Sequence, residues 1–272
     1  MKIRADWTEY QHKHKKREID LIFSRCPERL FSSALELGAG DGFQATLLAR
    51  FALKLVSTEL DPAILKNTGT DSIEYKVCNA RDVSEVFNKG EFDLVFSSNL
   101  LEHIADLNRT LKGIREVLKD GGITIHIMPN PFWKFCHVLF YLPNRFFIAI
   151  ERISKKERLV SMSENGAGSE RRDIRRRPLI HRMFTLKPHG AYKSNIEEFS
   201  ALTRSRWIKE FEGADLELIS IIKGPLHSGY GFGLDILRNI LEKFGFSSES
   251  IYIAVKKGQY SHYRDYFERH KG

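Results

Sequence analysis

Apolar residues recur in two rhythms along this chain of 272 residues. Short apolar runs lie at Ser33 to Gly38, Leu53 to Leu60, Ile73 to Ala80, Phe92 to Asn99 and Gly122 to Pro129. Between them Gln44 to Arg50, Pro62 to Leu65 and Leu107 to Lys119 are apolar at helical spacing. Strand and helix alternating in this way predict βαβ units and a parallel sheet with helices on both faces. Runs such as Leu94-Val95-Phe96 lack a polar side, as strands buried on both faces do.

The rhythm breaks after Pro129. Pro131 to Ile150 is dense in aromatic residues, whereas Glu151 to Arg177 is strongly charged and includes the loop-forming run Ser163-Glu164-Asn165-Gly166-Ala167-Gly168-Ser169. Asn195 to Glu212 reads as one helix. Leu216 to Lys223 and Ile251 to Lys256 read as two further strands, connected through the amphipathic stretch Leu234 to Phe244. The predicted organisation is a single domain over 1–272. An N-terminal helical segment (1–32) precedes a cofactor-binding core (33–130), a cap insertion (131–200) and a C-terminal part (201–272). The last part completes a seven-stranded, mostly parallel α/β sheet of Rossmann-like form.

Composition narrows the functional classes. Hydrophobic residues at 42% and charged residues at 29% are globular values. The 43 Lys and Arg exceed the 35 Asp and Glu by 8, which favours an anionic partner without choosing one. Cys26, Cys78 and Cys136 are odd in number and far apart, excluding a disulfide framework or a Cys-x-x-Cys site. No grouping has metal-ligand spacing, so no metal is expected. The polar run Gln11-His12-Lys13-His14-Lys15-Lys16-Arg17 is not followed by an apolar signal core, so a cytoplasmic location is expected.

The sharpest motif is Ala34-Leu35-Glu36-Leu37-Gly38-Ala39-Gly40-Asp41-Gly42, which ends a strand and opens a helix. Glycines permit the tight turn and let backbone N–H groups approach a ligand at the positive end of the helix. Glu36 suits a ligand carrying a cation better than a pyrophosphate. About twenty residues on, Glu59 ends the next strand, placed to accept both ribose hydroxyls, with Leu60 beside it. A third glycine at dinucleotide spacing is missing, which weakens a nicotinamide dehydrogenase reading.

With these motifs the chain resembles the class I S-adenosylmethionine-dependent methyltransferases, in particular the group with Leu-Glu-His after the fourth strand. The resemblance is close over about residues 33 to 130 and loose beyond. It implies that Glu36, Gly38, Ala39 and Gly40 form the cofactor loop and that Glu59 and Leu60 meet the ribose. Cys78-Asn79-Ala80-Arg81-Asp82 looks like the adenine segment, with Asn79 where the family has Asp. Ala80 and Arg81 then contact adenine through backbone or stacking. Phe92 to His103 is similar to the fourth strand and its turn, with Asn99 at the cofactor. Val117-Leu118-Lys119-Asp120-Gly121-Gly122 resembles the Leu-Lys-Pro-Gly-Gly turn, with Asp120 replacing Pro.

The implied cofactor is S-adenosylmethionine, whose sulfonium is already an activated electrophile. The protein mainly has to align a nucleophile, and orientation of this kind supplies roughly 7–11 kcal/mol. A hydroxyl acceptor also needs a base. Candidates are His103, in the turn after the fourth strand, and His189, in Lys187-Pro188-His189-Gly190-Ala191-Tyr192-Lys193-Ser194-Asn195. The alternatives are a turn histidine and a helix-entry residue, respectively. Tyr192 and Asn195 are candidates to orient a sugar, with helix capping as the alternative for Asn195. His126 reads as a core histidine.

In Phe132 to Ile150 the residues Lys134, His137 and Tyr141 form a narrow polar stripe beside a wide aromatic face. Lys134, Asn144 and Arg145 disfavour a bilayer span, and Pro143 predicts an interruption midway. Two readings stand: a lid buried against the sheet, or an in-plane helix on an anionic membrane. Arg152, Lys155, Lys156, Arg158 and Arg171 to Arg177 favour the second electrostatically. The same arginines could clamp an acceptor phosphate or form a solvated loop. Nucleic acid is not expected, because the aromatics do not interleave with the basic residues. The expected function is O-methylation of a saccharide or lipid-linked glycan, at the inner membrane face. A quinone or other small-molecule methyltransferase is the alternative enzyme, and a non-catalytic cofactor-binding protein the alternative class.

Overall fold

A computed structural model describes residues 6–64, 72–163, 192–227, 229–232 and 235–268, apart from the side chains of 149–163. Seven strands form one sheet: β1 (Phe31–Leu37), β2 (Ala52–Glu59), β3 (Ile73–Val77), β4 (Phe92–Ser98), β5 (Leu118–Pro129), β6 (Leu216–Lys223) and β7 (Glu249–Lys256). Their order is β3-β2-β1-β4-β5-β7-β6. β1 to β5 pair in parallel, while β7 runs antiparallel to both β5 and β6. The chain order reverses between β1 and β4, and the crevice above those carboxyl ends is where open α/β sheets bind ligands.

Successive strand residues point to opposite faces, so each buried strand feeds two cores. Ala34, Leu94, Phe96 and Ile125 pack on one face against Ile19, Ile22 and Phe23. Leu35, Leu37 and Val95 pack on the other with Leu111, Ile114, Trp207 and Phe211. Each such side chain fully buried contributes about 1.5–3 kcal/mol. The helices are α1 (Trp7–Ile22), α2 (Phe43–Leu48), α3 (Val83–Val86), α4 (Leu107–Val117), α5 (Pro131–Ser163), α6 (Asn195–Ala201), α7 (Arg204–Gly213), α8 (Asp235–Lys243) and α9 (Arg264–Phe267). Asp6 caps α1 by accepting from the N–H groups of Thr8 and Glu9.

Several boundaries differ from expectation. Pro62 to Ile64 is a turn, and Leu65 lies outside the described residues. β5 begins at Leu118, so Lys119 to Gly122 belongs to a strand and not to the helix and turn. A Cβ at Gly122 would lie 3.1 Å from the Asp93 carbonyl, so glycine permits this close pairing with β4. The stretch 195–212 is two helices, broken at Leu202-Thr203, where Thr203 takes up the N-cap position of α7. Pro143 does not interrupt α5. A helical Pro leaves the carbonyl four residues back without its donor, and that residue, Leu139, is 56% exposed. Among the described residues no helix is long and apolar enough to cross a membrane.

Candidate active site

The turn after β1 is built for close approach. Gly38, Gly40 and Gly42 all have left-handed φ, at +74°, +57° and +79°. The N–H groups of Gly38 and Ala39 both donate to the Thr58 carbonyl at 2.9 Å. Gly40 N–H donates to Glu59 Oε2 at 2.9 Å, and Leu60 N–H to Glu59 Oε1 at 2.8 Å. The acid at the tip of β2 is thus tied to the glycine turn through Oε2, while Oε1 holds the backbone that follows it.

A cleft of about 340 Å³ opens there, lined by Gly38, Glu59, Leu60, Asn79, Ala80, Arg81, Leu100 and His103 among others. Asn79, Ala80 and Arg81, expected at adenine, therefore line the same cleft as Glu59, expected at the ribose. Asn79 Oδ1 accepts from Arg81 N–H at 3.1 Å, so this side chain caps its own turn. A larger groove of about 710 Å³ runs along β6 beside α7, and none of the predicted site residues lines it.

Glu36 lies beneath the loop, almost wholly buried, accepting from Ser57 Oγ at 2.6 Å. Burial pushes its carboxyl up to about 7, opposed by the Ser57 hydroxyl and Lys15. Asn99 is held in left-handed backbone (φ +52°) just past β4, and its Nδ2 reaches Glu249 Oε1 at 3.4 Å. His103 sits in a short 3-10 turn, its side chain about one third exposed, with Nε2 3.8 Å from Glu102 Oε1. Glu102 itself is buried. Burial raises its carboxyl to about 8, and Oε2 has no hydrogen-bond partner.

Tyr192 OH accepts from Arg206 at 3.3 Å, and burial raises its phenol, with Glu102 and Glu198 adding to the effect. Asn195 is the first residue of α6 and not its cap; Ser194 accepts from Glu197 N–H instead. His189 lies outside the described residues. His126 is a core histidine as expected, bonded to the Ser97 and Thr124 hydroxyls at 2.7 and 2.6 Å. Burial lowers it to about 3.

The N-terminal helical segment was expected, but the buried polar contacts it brings to the crevice were missed. α1 lies over the crevice with His12 Nε2 2.7 Å from Asp41 and its ring stacked on Phe43. Glu18 is fully buried and accepts from Gln44 Nε2 at 3.1 Å and Ser98 Oγ at 3.0 Å. Lys15 also bonds Ser98 Oγ, at the end of β4. His14 is raised to about 9: burial would lower it, but the carboxylates of Glu249 and Glu18 prevail. The available signal was the spacing of His14, Glu18 and Ile22, one residue per helical turn on one face.

α5 turns its polar stripe inward. Lys134 Nζ meets Glu198 Oε2 at 2.6 Å, with both side chains at most 2% exposed. The opposite face leaves Phe135, Val138, Leu139, Leu142 and Phe146 exposed. An apolar crevice between α5 and α8, lined by Cys136, Phe140, Leu226, Leu237 and Leu241, ends on His227.

Residues 35–126 match the family model described as a methyltransferase domain. The chain is 30% identical over 128 residues to a ubiquinone biosynthesis O-methyltransferase of Bartonella quintana, covering 43% of this chain and 51% of that protein. It is 34% identical over 101 residues to the mitochondrial arginine-hydroxylase NDUFAF5 of Homo sapiens, covering 37% of this chain and 29% of that protein. The chain thus spans about half the length of the Bartonella relative, and less of the human one. Among solved structures, it superposes on a chain of the Haloferax volcanii complex of the Trm112 methyltransferase activator. The TM-score is 0.55 at 13% identity, covering 96% of this chain and 100% of that one. That likeness is one of fold.

Proposed function

We infer that this chain, which carries a class I S-adenosylmethionine-dependent methyltransferase domain, methylates an oxygen of a saccharide or lipid-linked glycan. The observation that carries methyl transfer is the Gly40–Glu59 bond at the wall of a cleft shared with Asn79, Ala80 and Arg81. The residues fit the cofactor: a Cβ at Gly40 would meet nothing within 4 Å, so backbone is open to a ligand there. When bound, S-adenosylmethionine supplies a methyl group on an activated sulfonium.

In this reading Glu59 receives the ribose hydroxyls, Gly38, Ala39 and Gly40 flank the ligand, and Leu60, Asn79, Ala80 and Arg81 surround the base. Glu36 answers the cationic end from beneath the loop, and Asn99 flanks it from β4. His103 receives the acceptor proton, with Glu102 behind it. His189 is a second candidate for that role, and Tyr192 and Asn195 orient the acceptor. The exposed apolar row of α5 supports a lipid-linked acceptor and peripheral contact with an anionic membrane at its inner face, since apolar burial and basic residues act together there.

A quinone acceptor is the second reading, favoured by the likeness to the Bartonella ubiquinone biosynthesis O-methyltransferase. A tritiated-methyl assay on lipid and polar extracts separates the two. Counts in a glycolipid or saccharide fraction support the first reading, and counts confined to low-mass aromatic products overturn it. Flotation with anionic liposomes tests the membrane contact, and absence of binding removes it.

A further inference from the structure

Beside the crevice, three segments far apart in sequence bring donor atoms to one point. His14 from α1, His227 from the loop after β6 and Glu249 at the start of β7 each place a ligand atom within 4.8 Å of the others. His14 Nε2 is 3.1 Å from Glu249 Oε2 and 3.1 Å from Glu18 Oε1. His227 Nε2 is 3.2 Å from Glu249 Oε1. The Glu18 and Glu249 side chains are shut off from solvent. Neighbouring ligands on one ion, with bonds of about 2.0–2.2 Å, stand roughly 2.8–3.6 Å apart across octahedral and tetrahedral angles. The nitrogen–oxygen separations fall in that range.

Hydrogen bonds have similar lengths, so His14 alone does not separate a proton from an ion. His227 adds an independent observation. Its Nε2 is buried and close to a carboxylate, yet it has no hydrogen-bond partner of acceptable angle. The ring therefore misses the carboxylate oxygen beside it, and a buried polar atom left that way is costly.

We propose that His14, His227 and Glu249, with Glu18 beside them, bind a divalent transition-metal ion that fastens α1 to the sheet. Two imidazoles with carboxylates suit zinc, manganese, iron or cobalt better than calcium or magnesium. The site adjoins Asn99 through Glu249, so the ion braces the end of β4 as well as α1. Loading displaces to solvent the proton that His14 Nε2 holds against Glu18 and Glu249, and it has one structural cost. Gly229 N–H now donates to His227 Nδ1 at 3.2 Å, but a ring bound to metal through Nε2 carries its proton on Nδ1. The Gly229 peptide turns away on binding.

The test needs no turnover, so its failure is separate from failure of the methyltransferase reading. The full chain, freed of any affinity tag and stripped with chelator, is titrated with Zn²⁺ and separately with Co²⁺. The expected result is about one ion per chain, a thermal midpoint raised by several degrees, and visible Co²⁺ bands of nitrogen–oxygen coordination. His227→Ala and the volume-conserving Glu249→Gln each weaken binding about 100-fold or more, equivalent to removal of a ligand. His262→Ala, an exposed histidine near α9, leaves it unchanged. Circular dichroism confirms folding of each variant, and Glu249→Gln serves if His227→Ala does not fold. Fewer than about 0.1 ion per chain, or binding that survives both substitutions, overturns the proposal.

Discussion

Gly40 donates its backbone N–H to Glu59 Oε2 across 2.9 Å, tying the turn after β1 to the tip of β2. The carboxylate is aimed before any ligand arrives, which lowers the ordering cost of binding. Glu59→Ala removes the acceptor and leaves the loop donor unmatched. Affinity for S-adenosylhomocysteine falls about 10- to 100-fold, the effect of losing a charge-assisted bond of about 1.5–3 kcal/mol. Calorimetric titration reads this, and unchanged affinity would put the nucleoside elsewhere.

The two glycines of the turn differ in a way that substitution exposes. Alanine at either meets the left-handed backbone penalty of about 1–2 kcal/mol. At Gly38 the new Cβ also lies 3.0 Å from a Leu100 methyl, whereas at Gly40 it meets open space. Gly38→Ala is therefore the more destabilising of the pair in urea melts. Equal midpoints would mean that Leu100 gives way freely.

Glu36 makes stability depend on pH. Its carboxyl is raised from 4.5 to about 7, chiefly by burial, so between those values the folded chain keeps a proton that the unfolded chain has lost. Stability from this group falls as pH rises through the window and levels off above it. Glu36→Gln should remove up to about one proton from that slope, read as urea midpoints at a series of pH values. A slope that stays the same would show Glu36 ionised at neutral pH in the folded protein.

The buried pair Lys134–Glu198 joins α5 to α6. Lys134→Met leaves Glu198 as a buried charge without its ammonium, at a cost of about 3–5 kcal/mol. Thermal denaturation measures the loss. Adding Glu198→Leu should recover much of it, and failure of that rescue would place the cost in packing instead.

On the exposed side of α5, Leu139 and Phe146 are 56% and 59% accessible. Leu139→Asp and Phe146→Asp should change folding stability by no more than about 0.5 kcal/mol, while liposome partitioning drops. Partitioning that persists in the double variant would assign the contact to another surface.

The strands were legible because burial on both faces leaves few polar residues: Leu94-Val95-Phe96 belongs to β4, and Leu216 to Lys223 coincides with β6. That Gly38, Glu59, Asn79 and His103 would meet at one cleft was legible because each lies in a short motif at or just past the end of its own strand. The break at Thr203 was not, since the flanking residues keep helical spacing across it. Nor was the continuity of α5 through Pro143.

Local pattern alone determined the sheet, its parallel core and the glycine–acid pair of the crevice, because backbone sterics and strand burial act over a few residues. The roles of α1 and α5 were decided only in three dimensions. Gln11 to Arg17 reads as a solvated run until Glu249, more than two hundred residues on, supplies a buried partner for His14. The segment of α5 reads equally as a buried lid or a membrane-surface helix until Glu198 claims Lys134 and turns the polar stripe inward. A charge goes wherever an opposite charge awaits it, and periodicity carries no record of where that partner lies.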